Sequence, residues 1–422
     1  MNPLFEEFFS LLRFSLGIAP ACHCEERSDA AIQDVILEGA QRPIGSSDAP
    51  KTSFSRVLTA EEWRWLHEQA KRQCLLGVLY KGIEKLPAEH RPPRDLLLRW
   101  SFEANQIAAM NTRMNDTAAK LTKIFADRGA RTVILKGQAN ARLYPDPSSR
   151  QAGDIDILVQ GGRNRVLKLL KEMELLEKAT REEVSNLHAH LDAKLFDGVT
   201  VEVHFMPTYN NSPFTTRNMQ RYFDTILAEP GAVKTMQTGA VKTMQTAAAP
   251  APGDASEGFN VPPATFALVM QLSHMQRHFV DSGLGLRQLM DYYHVLRNST
   301  QADRDRTMAN LKKCGLYNMA RATMWILEEL FGLPQQLMLC APDPRRGRML
   351  LDVILADGNF GHYSENNYSV PLVRHWLTNA RRYLDRITFD MRESLWGEFR
   401  FVTRFVTSIP YRIKTRRLSL RK

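Results

Sequence analysis

Two aspartates one residue apart, Asp154 and Asp156, stand in the run Asp154-Ile155-Asp156-Ile157-Leu158-Val159. In an extended strand alternate side chains share a face, so both carboxylates point one way and Ile155 and Ile157 the other. The run Thr200-Val201-Glu202-Val203-His204-Phe205 has the same parity, with Glu202 and His204 on one face and Val201, Val203 and Phe205 opposite. If these two strands are neighbours, three carboxylates converge on one point. Acids are disfavoured in an apolar strand unless something neutralises them, and oxygen-only ligands suit Mg²⁺ or Mn²⁺. Ions held this way can activate an attacking hydroxyl and stabilise the leaving oxygens of an in-line phosphoryl displacement. An Asp-x-Asp pair alone is a weak signal, common in loops and calcium sites. Its apolar setting is what points to metal binding or catalysis.

Other residues could serve the same chemistry. Leu135-Lys136-Gly137 ends an apolar run and precedes a segment that can open a helix, where glycine lets backbone approach a phosphate and free N–H groups face it. Lys136 would add positive charge there. Arg150 is a second candidate phosphate contact, with a salt bridge to a neighbour such as Asp146 as its plain structural alternative. His188, His190 and His204 could form a metal site if residues 186–195 are a strand beside the Glu202 strand, and such clusters serve zinc hydrolases. No His-Glu-x-x-His or Gly-x-Ser-x-Gly supports that reading. Arg287 and Asp291, at i and i+4, read first as an intrahelical ion pair.

The elements that must position these groups are legible in outline. Residues 1–18 and 57–110 read as helical, with Trp63, Leu66, Ala70 and Cys74 at helical spacing. Ala118, Leu121 and Phe125 mark a helix that stops at Gly129. Thr132–Leu135, the Asp154 run and the Glu202 run read as three strands, the last entered through an Asp197-Gly198 turn. Val166, Leu169, Leu170 and Met173 fit a helix between them. Beyond Pro262-Pro263 the pattern is helical, around 266–273, 286–296, 317–331 and 372–386.

Two stretches interrupt this order. Residues 19–56 lack any sustained period, and CHCEERSDAAI within them resembles the translated product of a mobile repeat element. Their Cys22-His23-Cys24 has no second cluster at zinc-site spacing and reads as loop. GAVKTMQT at 231–238 recurs at 239–246, too few copies for a solenoid, which makes 231–260 a linker or insertion.

Composition sets outer bounds. The 422 residues are 44% hydrophobic and 24% charged, enough for two or three domains with real cores. No apolar run approaches the roughly 20 residues of a membrane span. Glu6, Glu7 and Arg13 turn the N-terminus from a signal peptide into an amphipathic helix. Five cysteines at scattered positions outline no disulfide framework, and a cytoplasmic location is expected. The net charge of +10 favours anionic partners. Arg412, Lys414, Arg416, Arg417, Arg421 and Lys422 form a basic tail that offers polyanion contact or a solvated end.

VILKGQANARLYPDPSSRQAGDIDILV followed by VTVEVHF resembles the uncharacterised bacterial nucleotidyltransferase family of the DNA polymerase β-like superfamily. FFSLLRFSL, LTAEEWRWL and GLRQLMDYYHVL extend the likeness on both sides of the two interruptions. The resemblance implies an α+β fold with a small mixed-sheet core, Asp154 and Asp156 as metal ligands, and Glu202 as the third acid. It places Gly137 where the superfamily has its phosphate-turn glycine, although Lys136-Gly137-Gln138 replaces the usual Gly-Ser. It implies a nucleoside triphosphate, ATP among the candidates, as substrate. Lys136, Gly137 and Arg150 would bind it, and a protein, RNA end, sugar or small molecule would accept the nucleotide. The expected organisation is a helical region at 1–110 with its inserted loop, a core at 111–230, a linker at 231–260 and a helical domain at 261–422. A catalytically quiet nucleotide- or nucleic-acid-binding module is the alternative, and a metal-dependent hydrolase a weaker one.

Overall fold

Apolar residues at helical spacing fold the first quarter of the chain into helices. The computed structural model describes residues 4–18, 56–176, 184–237, 258–281, 283–358, 381 and 386–414. Helix α1 (Leu4–Ser15) buries Phe8, Phe9, Leu11 and Leu12. Helix α2 (Ala60–Arg72) opens on a capping box in which the Thr59 hydroxyl and the Glu62 carboxylate each accept from the other's backbone N–H, removing two unpaired donors. Helix α3 (Leu76–Ile83) follows, and α4 (Arg94–Ala126) then runs for 33 residues. It crosses residue 110 unbroken, so the expected boundary at 110/111 falls inside a helix. No glycine or proline interrupts it. Its first half packs Leu96 and Trp100 into a helical core, while Met114, Ala118, Leu121 and Phe125 lie under the sheet.

Strands β1 (Thr132–Ile134), β2 (Ile155–Val159), β3 (His188–Leu191) and β4 (Val201–His204) form a mixed sheet in the order β1-β2-β4-β3. β1 runs antiparallel to β2, β2 parallel to β4, and β3 antiparallel to β4. The period-two reading holds. Ile155, Ile157, Val159, Val201, Val203, Ala189 and Leu191 enter a core shared with α4 and with helix α6 (Gly162–Glu172), while α5 (Gln138–Ala141) links β1 to the loop before β2. The other face carries Asp156, Glu202, His204, His188 and His190. The fold is α+β, with a small mixed sheet between helical regions.

The rest of the described chain is helical apart from one hairpin-like pair. Helix α7 (Pro213–Ala228) leads to β5 (Lys234–Gln237), which pairs antiparallel with β6 (Gly258–Val261). Residues 234–237 of the first GAVKTMQT copy thus form a strand. Phe259 and Val261 bury themselves in the sheet core, which gives the pair its anchor. Helices α8 (Ala264–Asp281), α9 (Leu286–Arg297), α10 (Gln301–Leu311), α11 (Tyr317–Phe331), α12 (Pro344–Asp357) and α13 (Met391–Lys414) complete the order. Phe8, Trp63 and Trp100 share one core with Phe266, Tyr292 and Phe331, so the two helical regions predicted on either side of the sheet pack together. The second GAVKTMQT copy, nearly all of 19–56 with Cys22-His23-Cys24, the end of the basic tail (415–422) and most of the helix predicted at 372–386 lie outside the described residues. Among the described residues no helix is long and apolar enough to cross a membrane.

Candidate active site

The sheet register builds the site. Asp156 on β2 is the direct partner of Glu202 on β4, which is in turn opposite His190 on β3; one row on, His204 faces His188. Asp154 lies just before β2. The Leu135 N–H donates to the Asp156 carbonyl at 2.9 Å, which carries the chain past β1 and sets Lys136 over the acids. Lys136 Nζ stands 2.9 Å from Asp156 Oδ2 and 3.8 Å from Asp154 Oδ1. Carboxylate oxygens of Asp154, Asp156 and Glu202 lie within 4.8 Å of one another. Gly137 holds φ +62° and ψ −108°, a backbone state that only glycine adopts without strain. That turn swings the chain from Lys136 into α5.

Burial and charge set the protonation of this cluster. The neighbouring Asp156 carboxylate pushes Asp154 above the ordinary value, against the pull of Lys136. Burial also pushes Asp156 up, but Lys136 and then His204 outweigh it and hold the carboxyl below the usual range. Glu202 behaves alike: burial opposes ionisation, and the contacts from His188 and His204 overcome it. Lys136 is held above its ordinary value by Asp154 and Asp156 in spite of its desolvation. His204, desolvated as well, is held up by Asp156 and Glu202, with Nε2 at 3.0 Å from Asp156 Oδ1 and 3.3 Å from Glu202 Oε2. The carboxylates of the site thus face the Lys136 ammonium and the rings of His188 and His204.

Arg150 reaches the same cleft by a route that its local sequence does not reveal. It is 4% exposed, and Nε and Nη2 each donate to an Asp291 carboxylate oxygen at 2.7 Å. Tyr144 Oη donates to Asp291 Oδ1 at 2.8 Å. The alternative partner Asp146 instead accepts from the Ser148 N–H and lies 3.4 Å from Lys81. Both Asp291 oxygens accept from Arg150, while Arg287 donates to the Gln151 carbonyl at 2.8 Å and its charge also helps hold the Asp291 carboxyl low. Arg150 Nη1 has no hydrogen-bond partner and is buried. Lys136, Gly137, Arg150, Asp154, Asp156 and Arg287 line a single cleft.

Sequence reasoning missed the second wall of this cleft. Gln271 and His274 of α8 line it, and Gln271 donates to Asn140 of α5 at 3.0 Å. His274 and His278 meet edge to face with ring centres 4.3 Å apart, and burial holds both well below the ordinary histidine value. The i, i+4 spacing in His274-Met275-Gln276-Arg277-His278 was the available signal.

The polar sheet face thus carries an Asp-x-Asp strand end, a third acid on the parallel neighbour and a lysine over the aspartates. The sequence pattern of the uncharacterised nucleotidyltransferase family matches residues 59–332, more than half of the chain. The chain belongs to this family. The matched span contains Lys136, Gly137, Arg150, Asp154, Asp156, Glu202 and Asp291, together with helices α2 to α11. No curated protein matches the sequence.

Proposed function

We propose that this protein transfers a nucleoside monophosphate from a nucleoside triphosphate to an acceptor hydroxyl, releasing pyrophosphate. The observation that carries this reading is the convergence of Asp154, Asp156 and Glu202 on one sheet face in a chain of a nucleotidyltransferase family. The donor set fits Mg²⁺ or Mn²⁺: three carboxylates, all oxygen, whose charge Lys136 and His204 offset only in part. Asp154, Asp156 and Glu202 would hold the ion. When bound, it supplies charge stabilisation at the phosphoryl oxygens and lowers the pKa of the acceptor hydroxyl.

The protein's own groups do the remainder. Asp156 and Glu202 flank the acceptor hydroxyl, whose proton passes to a carboxylate oxygen. Lys136, at the mouth of the Gly137 turn, and Arg150, with Nη1 uncommitted, attract the anionic phosphates and the departing pyrophosphate. The helical walls exclude water and strengthen each of these interactions. The hydrolase reading has one observation in its favour, the imidazoles around Glu202, and family membership favours transfer over it.

The test is transfer of α-labelled nucleotide with each of the four triphosphates, Mg²⁺ or Mn²⁺, and lysate as acceptor source. An Asp154→Asn, Asp156→Asn variant is expected to lose at least about 10³-fold in labelling. Equal labelling by the variant sinks the assignment. Nucleotide and metal binding without label transfer by the native chain favours the quiet binding module.

A further inference from the structure

The polar face of the sheet holds more ligand atoms than a carboxylate site requires. His188 Nδ1 lies 2.8 Å from Glu202 Oε2, off the line of a good hydrogen bond, and His204 Nε2 lies 3.3 Å from the same oxygen. The antiparallel pairing of β3 with β4 puts these imidazoles opposite one another, with ring centres 5.1 Å apart and planes at 82°. One ligand atom from each of His188, Glu202 and His204 falls within a 4.8 Å span. Ligands on a tetrahedral ion at about 2.0–2.1 Å stand about 3.3 Å from each other, close to the spacing seen here.

The His204 tautomer sharpens the point. Its Nδ1 lies 3.3 Å from the Met206 carbonyl, which can only accept, so the ring proton belongs on Nδ1. In the neutral ring the Nε2 lone pair then faces two carboxylate oxygens, Asp156 Oδ1 and Glu202 Oε2. That lone pair and the Glu202 oxygen are thus aimed at the same point, where a cation can be held. A backbone carbonyl on the far ring nitrogen is also how metal-binding histidines are commonly oriented.

We propose that His188, Glu202 and His204 form a second cation site, distinct from the Asp154–Asp156 side of the cluster and selective for a nitrogen-binding divalent ion, Zn²⁺ or Co²⁺. Two nitrogens and one carboxylate select such ions over Mg²⁺, which prefers oxygen. Three protein ligands leave a position open, as in sites that take a further ligand. His188 also lines a cleft with Tyr209, Arg277 and Arg400. His190, with Nδ1 3.6 Å from Glu202 Oε1 and a side chain 41% exposed, stands beside the site as a group that can swing towards it. Glu202 belongs to both cation sites, so occupancy of one alters the other.

This inference does not depend on nucleotidyl transfer, because metal binding is read without any nucleotide. The full chain, stripped of metal, is titrated with Co²⁺ and followed by visible absorption, then challenged with Zn²⁺ or Mg²⁺. One equivalent is expected to bind with the intense bands of a low-coordinate, nitrogen-ligated ion, displaced by Zn²⁺ and not by a tenfold excess of Mg²⁺. His188→Gln is expected to weaken Co²⁺ at least tenfold, with the circular dichroism of the native fold retained, and Asp154→Asn to change it less than threefold. Electron spin-echo modulation on the unsubstituted chain loaded with one equivalent of Cu²⁺, an ion that favours imidazole over carboxylate ligands, should show imidazole ¹⁴N coupling, which needs no variant to fold. Undiminished Co²⁺ affinity in His188→Gln, a loss as large in Asp154→Asn, absence of nitrogen coupling, or no Co²⁺ binding at all would each overturn the proposal.

Discussion

At the scale of single residues, the side chain that decides the resting state of the site is Lys136. Its ammonium bridges Asp154 and Asp156 from a position 18% exposed, while the Asp156 side chain is only 2% exposed. Removing one partner of a buried pair leaves an uncompensated charge, at a cost of about 3–5 kcal/mol. Lys136→Met is therefore expected to lower the Tm of the metal-free chain and to raise the carboxylate pKa values. Saturating Mg²⁺ should restore much of the difference, because the ion supplies the positive charge that the variant lacks. Thermal unfolding with and without Mg²⁺ checks this. A variant as stable as the native chain in the absence of metal would show that the lysine does not hold the acids together. Asp154-x-Asp156 and Glu202 were legible at this scale because strand parity is a local property of the sequence. The commitment of Arg150 to Asp291 was not legible, because the two are 141 positions apart.

At the scale of elements, the Arg150–Asp291–Tyr144 cluster ties the loop before β2 to helix α9. Asn111 of α4 secures the same loop by donating to the Ser148 and Arg150 carbonyls at 2.8 Å each. Gly77 lets α3 come against it, since a Cβ there would sit 2.3 Å from the Ser149 carbonyl oxygen. The loop is thus pinned from three helices, and Asp154 follows it by four residues. Asp291 is desolvated, yet Arg150 holds its carboxyl below the ordinary range. A depressed folded-state pKa contributes stability above the unfolded value, near pH 4, that disappears as pH falls through the folded value. Asp291→Asn is expected to cost about 3–5 kcal/mol at pH 7 and to flatten the acid limb of the stability curve. Denaturant unfolding of both chains from pH 7 to pH 3 measures it, and parallel acid limbs would remove Asp291 from the account.

At the scale of the whole molecule, the two helical regions predicted apart share one core, and the sheet core lies against it along α4. Helix α13 attaches through Glu393, whose carboxylate accepts from the Asn211 and Ser212 N–H groups at the start of α7 at 2.6 and 3.3 Å. Burial pushes this carboxyl up to about 7, against those donors. An acid whose folded pKa is raised contributes stability below its unfolded value that is lost as pH rises through the folded one. Stability of the native chain is therefore expected to decline from about pH 4.5 to about pH 7 by the Glu393 share. Glu393→Gln should remove that decline while leaving the acid limb from Asp291 in place. Melting temperatures of the two chains at pH 5 and pH 8 decide the matter: an equal pH 5 to pH 8 drop in both rules it out.

What the sequence determined by itself was whatever depends on near neighbours. Alternation placed Asp156, Glu202 and His204 on one strand face, and helical periodicity placed Trp63, Leu66, Leu121 and Phe125 inside. Both patterns follow from backbone geometry repeated over a few residues. The tertiary structure decided which strands are adjacent and in which register. Only the parallel pairing of β2 with β4 sets Asp156 beside Glu202, and only β3 brings His188 to the same oxygen. It also turned residues 234–237 of the first GAVKTMQT copy into a strand and ran α4 through the expected domain boundary. Those outcomes rest on burial against distant partners, whose free energy no local pattern carries.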